Sequence, residues 1–414
     1  MDADSDKARY AGTLRAALTD LLVRQDAIHD PRVADAFRAV PRHVFVPSVP
    51  LEIAYTDDVV LMKRDETGVP ISTVSQPTVV ALMLEQADVQ PGHRVLEIGS
   101  GGYNAALLRE LTGPSGEVTT IDIDADVTAR ARQGLDDTGY PDVQVLRADG
   151  EFGCPQGAPY DRIIVTVTAW DIAPAWLEQL APGGRIVVPL RLRSQTRSIA
   201  FDLRDDGKWG RSLESRSMTV CGFVNMQGAG ANDERFARLH AGLVSLSFDE
   251  DQAGAPLPPE RVLDKPKVSR WSGVLMHREE PLSDLDLWLA TTLPGYCVLS
   301  AERRALSKAL VSPVPRWGAS AMASDHSLGY LTGRPAPDPD FVELGATGHG
   351  PAGENFAQQL ADQTVRWNET LRGGPGPKLE VHPPTFPADQ LPSGFHFRKR
   401  HHYLTLSWPG QPMG

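Results

Sequence analysis

The chain has 414 residues, 41% of them hydrophobic and 23% charged, with a formal net charge of −12. That length suits two to three domains, and the ordinary composition excludes a disordered chain. No apolar run approaches the roughly 18–20 residues of a membrane span, and the acidic balance argues against nucleic acid as main partner, because phosphate binding depends on Lys and Arg.

The N-terminus, MDADSDKARY, is polar and acidic and has no apolar stretch before a small-residue cleavage site, which predicts a cytoplasmic protein. Residues 8–40 carry apolar positions at three-to-four spacing (Leu14, Leu18, Leu21, Val33, Phe37) and predict helix, broken at Pro31. A proline-rich loop follows over 41–50, and the charged stretch 57–66 reads as an exposed segment. Ser75-Gln76-Pro77 stands before Val79, Val80, Leu82, Met83 and Leu84, a helix start followed by its apolar body. From Arg94 strand and helix patterns alternate, which argues for a parallel sheet flanked by helices. Strands are expected at 94–98, 117–122, 143–147, 161–166 and 184–189, helices at 103–111, 125–137 and 173–180, and a turn at 182–184. Closing strands are expected at 197–203 and 217–225. After Gly228 prolines cluster, and 229–414 reads as a second, α+β unit with helices at 281–293 and 354–371 and strands at 378–382 and 403–408. Cys154, Cys221 and Cys297 form no CxxC pair, which suggests neither a disulfide framework nor a zinc site.

Chemistry concentrates at three strand ends. Val95-Leu96-Glu97-Ile98 runs into Gly99-Ser100-Gly101-Gly102 before a helix, so a ligand can approach bare backbone there. By itself this turn fits a dinucleotide site or a plain strand-to-helix connection. Asp122 ends the next strand about 20 residues on, where a doubly wound fold needs an acceptor for ribose hydroxyls. Asp149-Gly150 ends the third.

In this order, VLEIGSGG, TTIDID, RADGEFG, YDRIIVT and LAPGGRIVVP resemble a class I S-adenosylmethionine-dependent methyltransferase. With Val40-Pro41-Arg42-His43-Val44-Phe45-Val46-Pro47 and Thr73-Val74-Ser75-Gln76-Pro77 added, the chain resembles the protein L-isoaspartate (D-aspartate) O-methyltransferase family. The resemblance implies an α/β, Rossmann-like class I methyltransferase domain over 1–228 and a C-terminal α+β extension over 229–414. It implies S-adenosyl-L-methionine as cofactor and S-adenosyl-L-homocysteine as product, with Glu97, Gly99, Ser100 and Gly101 at the methionine moiety and Asp122 at the ribose. Asp149 and Gly150 would meet the adenine edge, Thr73, Val74 and Ser75 would lie across the cofactor, and Ser75 would stand beside the methyl-accepting carboxylate as the one catalytic residue. The carboxylate acceptor is ionised at neutral pH and needs no general base.

Three departures from the family pattern stand out. The glycine loop is one residue shorter than GxGxGY, Pro189 is followed by Leu190-Arg191-Leu192-Arg193, and Asn225 replaces a proline at the end of the closing strand. The two arginines read as solvent-facing, with substrate contact as the alternative. His43 reads as structural. His401 and His402 are adjacent and would point to opposite faces of a strand, so no metal is expected.

YLTGRP, ELGATGHGP and the terminal KRHHYLTLSWP make the extension similar to that of actinobacterial relatives associated with lanthipeptides and other ribosomal peptides. That similarity implies methylation of an aspartate in a cyclised precursor peptide, leading to succinimide and isoaspartate, with the extension recognising the peptide. Repair of isoaspartyl residues in damaged proteins is the alternative. A cofactor-binding protein without catalysis, and an RNA methyltransferase weakened by the acidic charge, are the other classes. The sequence sets no oligomeric state.

Overall fold

A computed structural model describes residues 3–99, 101–205, 208–249, 252, 254–316 and 318–410. The N-terminal region holds α1 (Ala3–Arg24), α2 (Pro31–Ala39), α3 (Arg42–Phe45) and α4 (Leu51–Ala54), then the antiparallel hairpin β1 (Val60–Arg64) and β2 (Pro70–Val74), then α5 (Pro77–Ala87). The expected break at Pro31 is real: Asp30 caps α2 by accepting from the Arg32 N–H, and Pro31 takes the first turn, where no N–H is needed. The charged stretch 57–66 is largely exposed, as expected, but its middle is the strand β1. Its charges obscure the alternation of a strand whose Val60 is buried against the core.

The alternating region follows as β3 (Arg94–Ile98), α6 (Tyr103–Thr112), β4 (Glu117–Asp122), α7 (Ala125–Asp137), β5 (Gln144–Arg147), β6 (Tyr160–Val165), α8 (Pro174–Gln179), β7 (Leu180–Leu192), β8 (Gln195–Asp205) and β9 (Arg211–Val220). Strands β5, β4, β3, β6 and β7 pair in parallel, and β8 and β9 continue antiparallel. The central β3 is buried on both faces, with Glu97 buried among its apolar neighbours Val95, Leu96 and Ile98. Pro182–Gly184 is not the expected turn but an irregularity inside β7, whose pairing with β6 jumps from Leu180 to Arg185. Arg193 and Ser194 both have positive φ and close a two-residue hairpin between β7 and β8. The last closing strand lies earlier than expected, ending at Val220, and 221–227 runs as irregular backbone past the sheet.

The extension contains β10 (Arg235–Leu239), β11 (Val244–Phe248), β12 (Lys267–His277), α9 (Ser283–Thr292), β13 (Tyr296–Ala301), α10 (Arg303–Ser307), β14 (Ala319–Ala323), β15 (Leu328–Pro335), β16 (Phe341–His349) and α11 (Gly353–Thr370). Its strands form a seven-stranded antiparallel sheet in the order β10-β11-β13-β14-β15-β16-β12. The chain then returns to the first sheet. Strands β17 (Lys378–His382), β18 (Phe395–Arg398) and β19 (Tyr403–Ser407) add to it through β17 on β9, making ten strands in all.

One apolar cluster joins Ile186, Val188 and Phe201 of the first sheet to Trp288, Trp367 and Trp408 of the C-terminal part, while a second packs the N-terminal helices on the sheet's opposite face. Buried polar bonds run across the same junction. Gln195 Nε2 donates to the Tyr296 hydroxyl at 2.9 Å, and Arg197 Nη2 donates to the Ser283 carbonyl at 2.9 Å. Each large apolar side chain uncovered here forfeits about 2 kcal/mol, and the β9 edge loses its partner. A chain ending at residue 228 is therefore expected to lack a cooperative melting transition and to aggregate on size-exclusion chromatography. A monomeric fragment with a sharp melt would contradict this.

Candidate active site

Because β3, β4 and β6 run parallel in register, Ile98, Asp122 and Val165 end at one edge of the sheet. Ligands of open α/β sheets bind outside that edge. A cleft lies there under the β1–β2 hairpin. One half is lined by Ser72–Ser75, Glu97, Gly101, Asn104 and Phe223; the other by Ile98, Ile121, Asp124, Gly150 and 225–227. Ile71, Gly99, Asp122 and Val167 line both, so the two halves form one continuous cleft.

The structure thus brings together Thr73, Val74, Ser75, Glu97, Gly99, Gly101, Asp122 and Gly150. Ser100 lies outside the described residues. Asp149 is placed differently from its neighbours: its carboxylate accepts from the Glu151 N–H at 3.0 Å and the Ala229 N–H at 2.8 Å, so it holds backbone and is not among the lining residues. Gly99 has φ +96°, and a Cβ there would come within 2.8 Å of Thr166 Oγ1; both constraints require glycine. Sequence reasoning missed Ile71, Asn104, Val167 and 225–227. The last of these had one signal, the departure at Asn225.

Glu97 is fully buried, accepting from Asn104 Nδ2 at 2.8 Å and Thr120 Oγ1 at 2.5 Å. Burial pushes its carboxyl up to about 7, against the pull of those two hydrogen bonds. Ser75 sits between β2 and α5 on braced backbone. Arg42, fully buried, donates from Nη2 to the Ser75 carbonyl at 3.0 Å and to the Asp58 carbonyl at 3.1 Å. Asp57 accepts from the Thr78 N–H at 2.8 Å and from Gln76 Nε2 at 3.1 Å, supplying the cap that the N-cap residue Gln76 does not. The Ser75 hydroxyl is therefore not the helix cap, and no other described residue hydrogen-bonds it. His43 Nδ1 bonds the Tyr55 hydroxyl at 2.8 Å, away from the cleft lining.

The features that departed from pattern have other partners. Arg191 faces neither solvent nor the cleft; it pairs with Glu234 and the buried Asp249, both at 3.0 Å. The Arg193 guanidinium lies 4.7 Å from the Phe395 ring centroid. His401 pairs with Glu151 and His402 with Asp171. Among the described residues no group of three or more His, Cys, Asp and Glu could hold a metal ion, and no helix is long and apolar enough to cross a membrane.

Residues 14–228 match the family model described as Protein-L-isoaspartate(D-aspartate) O-methyltransferase (PCMT). The chain is 40% identical over 226 residues to a protein-L-isoaspartate O-methyltransferase of Hyperthermus butylicus, covering 52% of this chain and 88% of that one. It is 39% identical over 216 residues to one of Methanopyrus kandleri, covering 52% and 91%. A solved structure named protein-L-isoaspartate O-methyltransferase superimposes with a TM-score of 0.50 at 21% identity, covering 89% of this chain and 96% of its own, so the fold is shared well into the extension. The chain belongs to the protein-L-isoaspartate (D-aspartate) O-methyltransferase family, carboxyl O-methyltransferases that use S-adenosylmethionine.

Proposed function

We propose that this cytoplasmic enzyme methylates an aspartate side chain in a ribosomally made, cyclised precursor peptide, with 229–414 as the peptide-recognising extension. The observation carrying the chemistry is the Ser75 hydroxyl, fixed at the cleft by its braced backbone and left without a partner among the described residues. The residues present suit the cofactor: the Glu97 carboxyl for its amino-acid end with Thr73, Val74, Gly99 and Gly101, Asp122 for ribose hydroxyls, and Gly150 with 225–227 for the adenine edge. Asp149 then acts through the backbone that it holds. When bound, the cofactor supplies an electrophilic methyl group on a sulfonium.

The acceptor carboxylate is already ionised, so the chain's task is orientation and exclusion of water. Ser75 donates a hydrogen bond to that carboxylate, and Val80, Met83, Ile164 and Phe223 form the apolar surround. The ester product is activated: attack by the following backbone nitrogen expels methanol and closes a succinimide, which water opens to aspartate or isoaspartate.

Incubation with labelled cofactor and either a cyclised precursor peptide or a linear isoaspartyl peptide tests this reading. Methyl ester and succinimide on the cyclised peptide are expected; label on the linear isoaspartyl peptide alone would decide for repair. Repair is the second reading, which the name of the relatives, protein-L-isoaspartate O-methyltransferase, fits equally well.

Two variants probe the cofactor assignments. Asp122→Ala is expected to weaken S-adenosyl-L-homocysteine binding about tenfold by calorimetry, and unchanged affinity removes it from the ribose. Lys63 on the hairpin pairs with Asp124 at 2.6 Å and Asp126 at 2.7 Å, at the start of α7. Because the hairpin also carries Ile71, this pair straps it over both halves of the cleft. Lys63→Ala should speed release of S-adenosyl-L-homocysteine about threefold in stopped flow, as suits a half-exposed pair. An unchanged release rate argues against a strap.

A further inference from the structure

The outer wall of the cleft is the irregular segment 223–227, which supplies lining to both halves. Irregular backbone keeps its position only through its partners. On the inner side three of these are from Thr168: its N–H donates to the Val224 carbonyl at 2.8 Å, its carbonyl accepts from the Met226 N–H at 2.9 Å, and its hydroxyl donates to the Phe223 carbonyl at 3.0 Å. The continuation of the wall, 228–231, is held from the other side by the turn between β18 and β19, some 170 residues further along the chain. Arg400 donates from Nη1 to the Ala229 carbonyl at 2.8 Å and from Nη2 to the Ala231 carbonyl at 3.1 Å.

The rest of that turn grips the first sheet around the same place. His401 pairs with Glu151 at 3.2 Å, next to Gly150 of the cleft, and its N–H donates to Asp171 Oδ2 at 2.5 Å. His402 Nδ1 lies 3.3 Å from Asp171 Oδ1, and Lys399 Nζ donates to the Arg191 carbonyl at 2.9 Å. Asp149 completes the arrangement from within, holding the Ala229 N–H whose carbonyl Arg400 takes.

We propose that the Lys399–His402 turn positions the adenosine-side wall of the cleft, with Arg400 as the positioning residue, so that the C-terminal part of the chain sets cofactor affinity as well as any peptide preference. The proposal rests on the cleft being the S-adenosylmethionine site. Arg400 is exposed and touches the wall only through two backbone carbonyls, so its removal leaves the core intact.

The test measures dissociation constants of the full-length chain for S-adenosyl-L-homocysteine and for 5′-methylthioadenosine, which keeps the adenosine and lacks the amino-acid end, together with the melting temperature. For Arg400→Ala both constants are expected to rise in parallel, by about five- to tenfold, with the melting temperature within about 2 °C of wild type. Arg400→Lys, which retains one donor group, should recover part of the loss. Equal affinities in wild type and variant overturn the proposal, as does a loss for S-adenosyl-L-homocysteine alone or a loss matched by a lower melting temperature. Failure of the wild-type chain to bind either compound would instead overturn the cofactor assignment.

Discussion

Replacing Ser75 with alanine is expected to lower kcat by about 10²-fold, the scale of losing one oriented donor at a reacting group, while S-adenosyl-L-homocysteine should bind within about threefold of wild type. The asymmetry follows from how Ser75 is held. Its carbonyl is fixed by the buried Arg42, and the helix start beside it is capped by Asp57, so neither brace uses the hydroxyl. Removing that oxygen leaves the backbone of the cleft where it was and takes away only the group proposed to align the acceptor. Single-turnover methyl transfer beside calorimetry separates the two quantities. Equal losses in rate and in affinity would mean that the hydroxyl serves the cofactor rather than the acceptor.

Glu97 gives the second large effect, through pH. Its carboxyl is raised by burial from an ordinary 4.5 to about 7, so the folded chain without cofactor favours the protonated form. That stabilisation is complete below about pH 4.5 and is lost as pH rises through 7, a difference on the order of 3 kcal/mol. Glu97→Gln keeps the shape and cannot ionise. At pH 8 the cofactor-free variant should melt about 4 °C above wild type, and at pH 5 the two should converge. Cofactor binding should go the other way. S-adenosylmethionine carries a sulfonium and an ammonium, which favour the ionised carboxylate, so wild-type affinity should climb between pH 6 and 8 while the Gln variant stays flat and weaker, by about tenfold at pH 8. A flat wild-type profile would show that Glu97 does not change charge on binding.

The parallel part of the sheet was legible because its strands are short, apolar and separated by amphipathic helices: 94–98, 117–122 and 125–137 fall where periodicity places them. The β1–β2 hairpin was not, because Lys63 and Arg64 within it break the alternation that marks a half-buried strand. Nor could periodicity show that β17–β19 leave the extension's sheet to pair with β9, since strand patterns specify a buried face and not a distant partner. In the site, the glycine loop and Asp122 declared themselves by position, whereas Asp149 illustrates the limit of residue type. A carboxylate at a strand end serves a ligand and a backbone turn equally well, and only the placement of Ala229 decides between them. The wall at 225–227 lies in backbone without a period, where residue spacing carries no signal.

The late return of the chain to β9 sets a clock on its synthesis. Roughly 160 residues separate the end of β9 from the start of β17, so at about 5–20 residues per second the nascent protein carries an uncovered sheet edge for about 10–30 s. For that interval the half that holds the cleft presents open backbone donors and acceptors to any neighbouring strand. Heavy expression, which crowds many unfinished chains together, should therefore drive this protein into aggregates, and a lower density of nascent chains or a trapping chaperone should raise the soluble yield without any change in sequence.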